Sequence, residues 1–450
     1  MTVIFAESAL LGDGWRRNVR VTVESGRIGD LRPDQEWRPG EDRHAILVPG
    51  MPNLHSHAFQ RGMAGLAETR GPGADSFWSW RETMYRFALA MTPEQAEAVA
   101  AQLYVEMLEA GFTRVGEFHY LHHDRDGQPY ANIAEMAERI AAAAKATGIG
   151  LTLLPVFYAH SGFGGAAPAE GQRRFVNDPD SFARLVEKSR EAVRTLDRAV
   201  VGVAPHSLRA VTPEELAQVV PLAGGGPVHI HVAEQVKEVE DCVAWSGARP
   251  VEWLSANQPL DERWCLIHAT HMTEAETAGM AASGAAAGLC PVTEANLGDG
   301  TFAAPLFLQH GGRFGVGSDS NVLIGVADEL RQLEYSQRLA HRARNVLARP
   351  GQSNGRALFD AALAGGSQAL GVEATGIAQG APADFVSLDA DHVTLAGKSG
   401  DAVLDAWIFA GACVDCVWTG GRKLVEGGRH VARDAVARRF RTAMLDLAGA

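Results

Sequence analysis

Along the middle of the chain, apolar residues gather in short runs of strand length, and most runs are followed by a segment of helical periodicity. The runs are Ile46 to His55, Thr113 to Phe118, Gly150 to Phe157, Ala199 to Ala204, Pro227 to Val232, Cys265 to His268, Ala286 to Cys290 and Arg313 to Ser318. Between them, Thr92-Pro-Glu-Gln95, Thr212-Pro-Glu-Glu215 and Thr273-Glu-Ala-Glu276 read as capping boxes opening helices. Gly111 is expected to end the first of these helices. Residues 132–148 and 178–197 read as two further helices. Eight such strands with helical crossovers predict an α/β fold, a (β/α)8 TIM-like barrel over residues 49–374. A doubly wound open sheet would usually show a glycine-rich phosphate loop after its first strand, and none follows Ile46 to His55.

Both chain ends show a different pattern. Period-two alternation broken by polar turns runs through Val3 to Ala6, Val19 to Val23 and Gly26 to Asp30. It returns in Ala383 to Leu388, Trp407 to Phe409, Val414 to Trp418 and, after the Gly420-Gly421 turn, Lys423 to Glu426. Residues 1–48 and 375–450 are therefore expected to build one small β-sandwich domain together. A chain of 450 residues exceeds what a single growing core holds, which fits two units.

Composition narrows the picture in three places. A net charge of −13 argues against a nucleic-acid surface. No run of 18 apolar residues occurs, and no basic segment precedes the first apolar stretch, so a cytoplasmic protein without a membrane span is expected. Five scattered cysteines fit a reducing compartment, and Cys413-x-x-Cys416, lacking a second pair nearby, is read as buried free thiols.

The candidate chemistry lies at the expected strand ends. His55 and His57 share one face of the first strand, since residues i and i+2 point the same way. His231 and Glu234 close the fifth strand, His268 the sixth and Asp319 the eighth. Neutral imidazoles with a carboxylate suit Zn²⁺. Glu234, just past its strand, could reach a water molecule on the metal without binding the metal itself. His229 reads as an ordinary core histidine. His119, His122 and His123 invite a second metal reading, although a polar loop explains them as well. Arg209, on the loop above the fourth strand, and Arg81, in an expected aromatic loop Phe77 to Arg81, offer planar forks that match carboxylates. With Tyr120 beside them, they point to a small anionic substrate. The glycine- and alanine-rich stretch Ser161 to Gly171 is either a lid or a plain surface loop.

Pro49-Gly-Met-Pro-Asn-Leu-His-Ser-His57, His229-Ile-His-Val-Ala-Glu234, Leu266-Ile-His268 and Gly317-Ser-Asp319 resemble the metal-dependent amidohydrolase superfamily in its deaminase branch. Binuclear members carry a carboxylated lysine at the end of strand 4; here that strand ends in Ala204-Pro-His206, and all five lysines fall elsewhere. The resemblance implies one zinc ion held by His55, His57, His231 and Asp319. It also implies that Glu234 shuttles protons, that Asp319 takes the proton of water and that His268 polarises the attacked carbon. A homodimer is common among such relatives. A narrower likeness rests on His55 to Gly65, Phe77 to Arg81 and Pro205-His206-Ser-Leu-Arg209. It is to those members that release ammonia from N-formimidoyl-L-glutamate in histidine degradation, and it implies that Gln60, Arg81, Tyr120, His206 and Arg209 hold the substrate. The rivals are a deaminase of guanine, an adenosine-like nucleoside or a pterin, and a non-catalytic scaffold of the same fold. Cleavage of the other C–N bond, giving formamide, is a third outcome.

Overall fold

The computed structural model describes residues 2–70, 77–373 and 376–448. The expected domain boundary between residues 374 and 375 lies outside them. Parallel pairing arranges Met51–Ser56, Phe112–His119, Gly150–Phe157 and Val200–Val201 in one sheet, with Ala204–Pro205 beside the third strand. A second parallel sheet contains Val228–Val232, Trp264–His268, Ala286–Leu289 and Arg313–Val316. The two sheets meet at both seams. Ser56 bridges Asp319 at one, and Val203 bridges Val228 and Ser207 bridges His231 at the other. The eight-strand pattern thus becomes a TIM-like barrel whose strands are almost wholly buried, as expected for parallel strands covered by helices. Thr92, Thr212 and Thr273 each accept a hydrogen bond from the backbone N–H three residues on, and all three capping boxes are complete.

Three expectations need correction. The apolar run from Ile46 to His55 is two strands. Asp42–Pro49 pairs with Thr2–Leu11 and Phe385–Leu388, and Met51–Ser56 enters the barrel. They part at Gly50, where a Cβ atom would lie 2.3 Å from the Thr113 side chain. The fourth strand is interrupted at Gly202. There the backbone changes partners, from the Leu153 carbonyl at Gly202 to the Pro227 carbonyl at Val203. Trp407 to Phe409 is not a strand but part of the helix Asp401–Ala410, which buries Val403, Leu404, Trp407 and Ile408 at helical spacing. Three apolar residues in a row carry no period, so that segment was ambiguous by itself.

Both chain ends share one eight-stranded sheet, and the hydrogen bonds of Ile28 and Gly26 with Ala381 and Ala383 roll its far edge back onto the later segment. Ile4, Val21, Leu47, Phe385 and Trp418 pack there in a core separate from that of the barrel. No helix among the described residues is long and apolar enough to cross a membrane.

Candidate active site

At the C-terminal ends of the barrel strands, His55, His57, His231 and Asp319 converge from three strands. The Nε2 atom of His55 lies 3.2 Å from that of His57 and 3.1 Å from that of His231. Asp319 Oδ1 is 3.2 Å from His57 Nε2 and 3.5 Å from His55 Nε2. Four ligands about 2.0 Å from one ion at tetrahedral angles stand about 3.3 Å apart, so the spacing suits a single divalent cation. The ring orientations agree. His57 Nδ1–H donates to the Phe118 carbonyl and His231 Nδ1–H to that of His206, which leaves the Nε2 lone pairs facing one another. Burial lowers the pKa of His55 to about 3 and that of His231 well below the usual imidazole range. Burial alone would raise Asp319, but the imidazoles of His55 and His57 outweigh it and keep the carboxyl ionised. Neutral imidazoles beside a carboxylate are the donor set of a hard-to-borderline divalent ion.

The surrounding chain is built to hold this arrangement. Gly317 lets the eighth strand close on the first, since a Cβ there would lie 2.7 Å from the His55 nitrogen. Asn53 donates to Ser318 Oγ at 2.7 Å, and Asn321 donates to the His57 carbonyl at 3.0 Å. Beneath His57, the buried Glu117 accepts from the Ala58 N–H at 2.6 Å and from the Tyr104 hydroxyl at 3.2 Å. Desolvation pushes the Glu117 carboxyl up to about 7. Ala233, His268, Ala269, Asp319 and Asn321 all have positive φ, between 46° and 65°. Left-handed backbone at non-glycine residues is costly, and here it clusters around one centre. No local sequence pattern announces that strain.

Glu234 and His268 stand at the edge of the cluster, with Glu234 Oε1 3.8 Å from His268 Nε2. Burial raises the Glu234 carboxyl, while Glu238 accepts from the N–H groups of Ala233 and Glu234 and fixes the turn. His268 Nδ1 lies 3.2 Å from Glu294 Oε1. Burial opposes charge on His268, yet Glu234, Glu294 and Asp319 together hold its pKa up to about 10, so it is protonated at neutral pH.

A cavity opens above these groups, lined by Gln60, Arg81, Tyr120, His206 and Arg209 as well as His57, His231, Glu234, His268 and Asp319. The structure therefore brings the candidate metal, catalytic and substrate-holding residues to one place, with His55 beneath the floor. Gln60 donates to the Tyr120 hydroxyl at 2.8 Å. Arg209 is buried, and its Nε has no hydrogen-bond partner among the described residues. Desolvation disfavours its charge, but the fields of Glu238 and Glu234 raise its pKa, so the guanidinium stays cationic.

The expected aromatic loop is instead the first turn of the helix Phe77–Ala90. Phe77, Trp80, Arg81, Met84 and Tyr85 reach the cavity from it, at the spacing of one helix face. That period, extended past Arg81, would have found Met84 and Tyr85 in the sequence. Tyr158 and Phe175 also line the cavity and carried no signal. His229 donates to the Ala369 carbonyl and lies apart. His122 and His123 donate to the carbonyls of Val156 and Val176, and no metal-like grouping forms there among the described residues. Phe163, in the glycine-rich stretch, stacks on Trp245. All five cysteines are free, but Cys413 is exposed, against the expectation for that pair. It sits just after the helix cap at Gly411, before its strand becomes buried.

Residues 46–424 match the Amidohydrolase family, and residues 1–45 match the family described as Formimidoylglutamate deiminase HutF, N-terminal domain. The chain is 54% identical to a formimidoylglutamate deiminase of Pseudomonas aeruginosa over 98% of each chain. It is 65% identical to the crystal structure of an amidohydrolase from Brucella melitensis, with a TM-score of 0.98 over the whole of both chains. A zinc-bound adenosine deaminase from Xanthomonas campestris, 22% identical and covering 100% of this chain and 99% of its own, shares the fold with a TM-score of 0.83.

Proposed function

The chain belongs to the amidohydrolase family, and from that premise we propose that it hydrolyses N-formimidoyl-L-glutamate to N-formyl-L-glutamate and ammonia. The observation that carries the substrate is Arg209, a buried cation whose Nε has no hydrogen-bond partner among the described residues and which lines the same cavity as the metal-type cluster. A buried guanidinium is costly unless an anion completes it. The 54% identical formimidoylglutamate deiminase supports the same reading. Glutamate carries two carboxylates, and Arg81 and Arg209 give the cavity two forks.

In this reading His55, His57, His231 and Asp319 hold one zinc ion. Bound there, the ion supplies Lewis acidity and lowers the pKa of water toward neutrality. Gln60, Tyr120, His206 and the two arginines orient the substrate so that the formimidoyl carbon faces Asp319 and His268. Asp319, ionised, accepts a proton from the attacking water. His268, protonated, stabilises charge developing at the attacked centre. Once water has added, Glu234 takes the proton of the new hydroxyl group and passes it to the departing nitrogen, so the C–N bond to that nitrogen breaks and ammonia leaves with a formyl group remaining.

The test is to incubate zinc-loaded protein with N-formimidoyl-L-glutamate and identify both products. Ammonia in equal amount to N-formylglutamate is expected. Formamide with free glutamate, or turnover of guanine or adenosine but not of this substrate, overturns the assignment.

A further inference from the structure

Asp319 presents its two oxygens to different neighbours. Its Oδ1 faces His55 and His57, whereas Oδ2 lies 3.8 Å from His268 Nε2. His268, Cys290 and Asp319 bring one nitrogen, one sulfur and one carboxylate oxygen within 4.8 Å of one another, and all three residues are buried. Glu234 Oε1 is 3.8 Å from the same imidazole nitrogen, within reach as a fourth donor. The orientation is fixed from behind. Glu294 Oε1 holds His268 Nδ1 and accepts the Cys290 backbone N–H at 2.9 Å, which leaves His268 Nε2 turned toward Glu234 and Asp319.

We propose that His268, Cys290 and Asp319 form a second, inhibitory metal site that takes a soft divalent cation, Cd²⁺ or excess Zn²⁺, with Asp319 bridging the two ions. The sulfur sets the preference, because thiolate selects soft metals over Mg²⁺ or Ca²⁺. Two ions sharing one carboxylate are ordinary geometry at separations of about 3.5–4 Å. On binding, the Cys290 thiol and the His268 imidazolium each release a proton to solvent, and the metal–sulfur and metal–nitrogen bonds form. A cation there occupies His268 and draws on Glu234, so neither is available to the reaction. The inhibition rests on the roles proposed above for these two residues; the binding does not.

The experiment uses zinc-loaded enzyme in a Cys413→Ala background, which removes the exposed thiol. Cd²⁺ is titrated while sulfur-to-cadmium ultraviolet absorption and turnover of N-formimidoyl-L-glutamate are followed together. The first site has no sulfur ligand, so exchange of its zinc produces no such absorption. One further equivalent of Cd²⁺ is expected to bring in the band as turnover falls in parallel. Cys290→Ser, and Cys290→Ala as a second variant, should lose the band and need more than about tenfold more Cd²⁺ for half inhibition. A band that persists without Cys290, or inhibition at an unchanged Cd²⁺ concentration, overturns the site. If the substrate proposal fails, the band and stoichiometry still report on it.

Discussion

His119, His122 and His123 crowd into one short segment, whereas His55 and His231 lie 176 positions apart, and only the dispersed group converges on a cation-sized gap. Both groups sit at barrel strand ends, and both are buried. They differ in how the ring nitrogens are used. In the crowded group, His122 and His123 spend Nε2 on the carbonyls of Val156 and Val176. In the dispersed group, His57 and His231 spend Nδ1 on carbonyls, so each Nε2 is left for the centre. Closeness in sequence is therefore a poor guide to a metal site. His119 Nε2, His122 Nδ1 and His123 Nδ1 also have no hydrogen-bond partner among the described residues, so the direction in which the strand aims a free nitrogen decides.

The sharpest way to break this comparison is to remove one converging ring. His231→Ala should abolish metal binding and lower kcat/KM by at least about a thousandfold, since the metal chemistry is lost with it. Metal analysis of the purified variant checks the first part, and full metal content would end the reading. Glu234→Gln separates holding the ion from moving protons. It should retain metal while kcat falls by about 10²–10⁴, the usual worth of a positioned acid or base. Arg209→Ala tests the other half of the cavity: KM should rise by about ten- to a hundredfold with metal content unchanged, as expected for a lost charged hydrogen bond. An unaltered KM would take Arg209 out of the substrate site. The smallest effect belongs to the crowded histidines. His122→Leu should leave metal and kcat alone and cost about 1–3 kcal/mol of stability through the orphaned Val156 carbonyl, read by denaturant unfolding. Loss of metal in that variant would erase the distinction between the two groups.

Much of the site was legible because strand ends are legible. An apolar run that stops at a histidine or an acid places that side chain at the barrel mouth, and His55, His57, His231, His268 and Asp319 all followed that rule. Arg81 was found by composition alone, as a cation among aromatics. Its neighbours Met84 and Tyr85 become legible only once the segment is a helix, whose period sets them on the same face. Trp407 misleads for a related reason: its helical partners Val403 and Leu404 lie outside the apolar run Trp407 to Phe409. Asn53, Glu117, Glu294 and Asn321 left no local trace, because each acts on a partner far along the chain or on another residue's backbone.

The order of strands and helices, the ligand types and the surplus of acidic charge follow from the sequence, because periodicity and side-chain chemistry are local properties. Which imidazole nitrogen is free, that the buried Arg209 Nε has no hydrogen-bond partner among the described residues, and that Asp319 turns one oxygen to His57 and the other to His268 were decided only by the fold. Those properties depend on the distances and burial created when separate strands close around a common centre, and no stretch of chain contains them by itself.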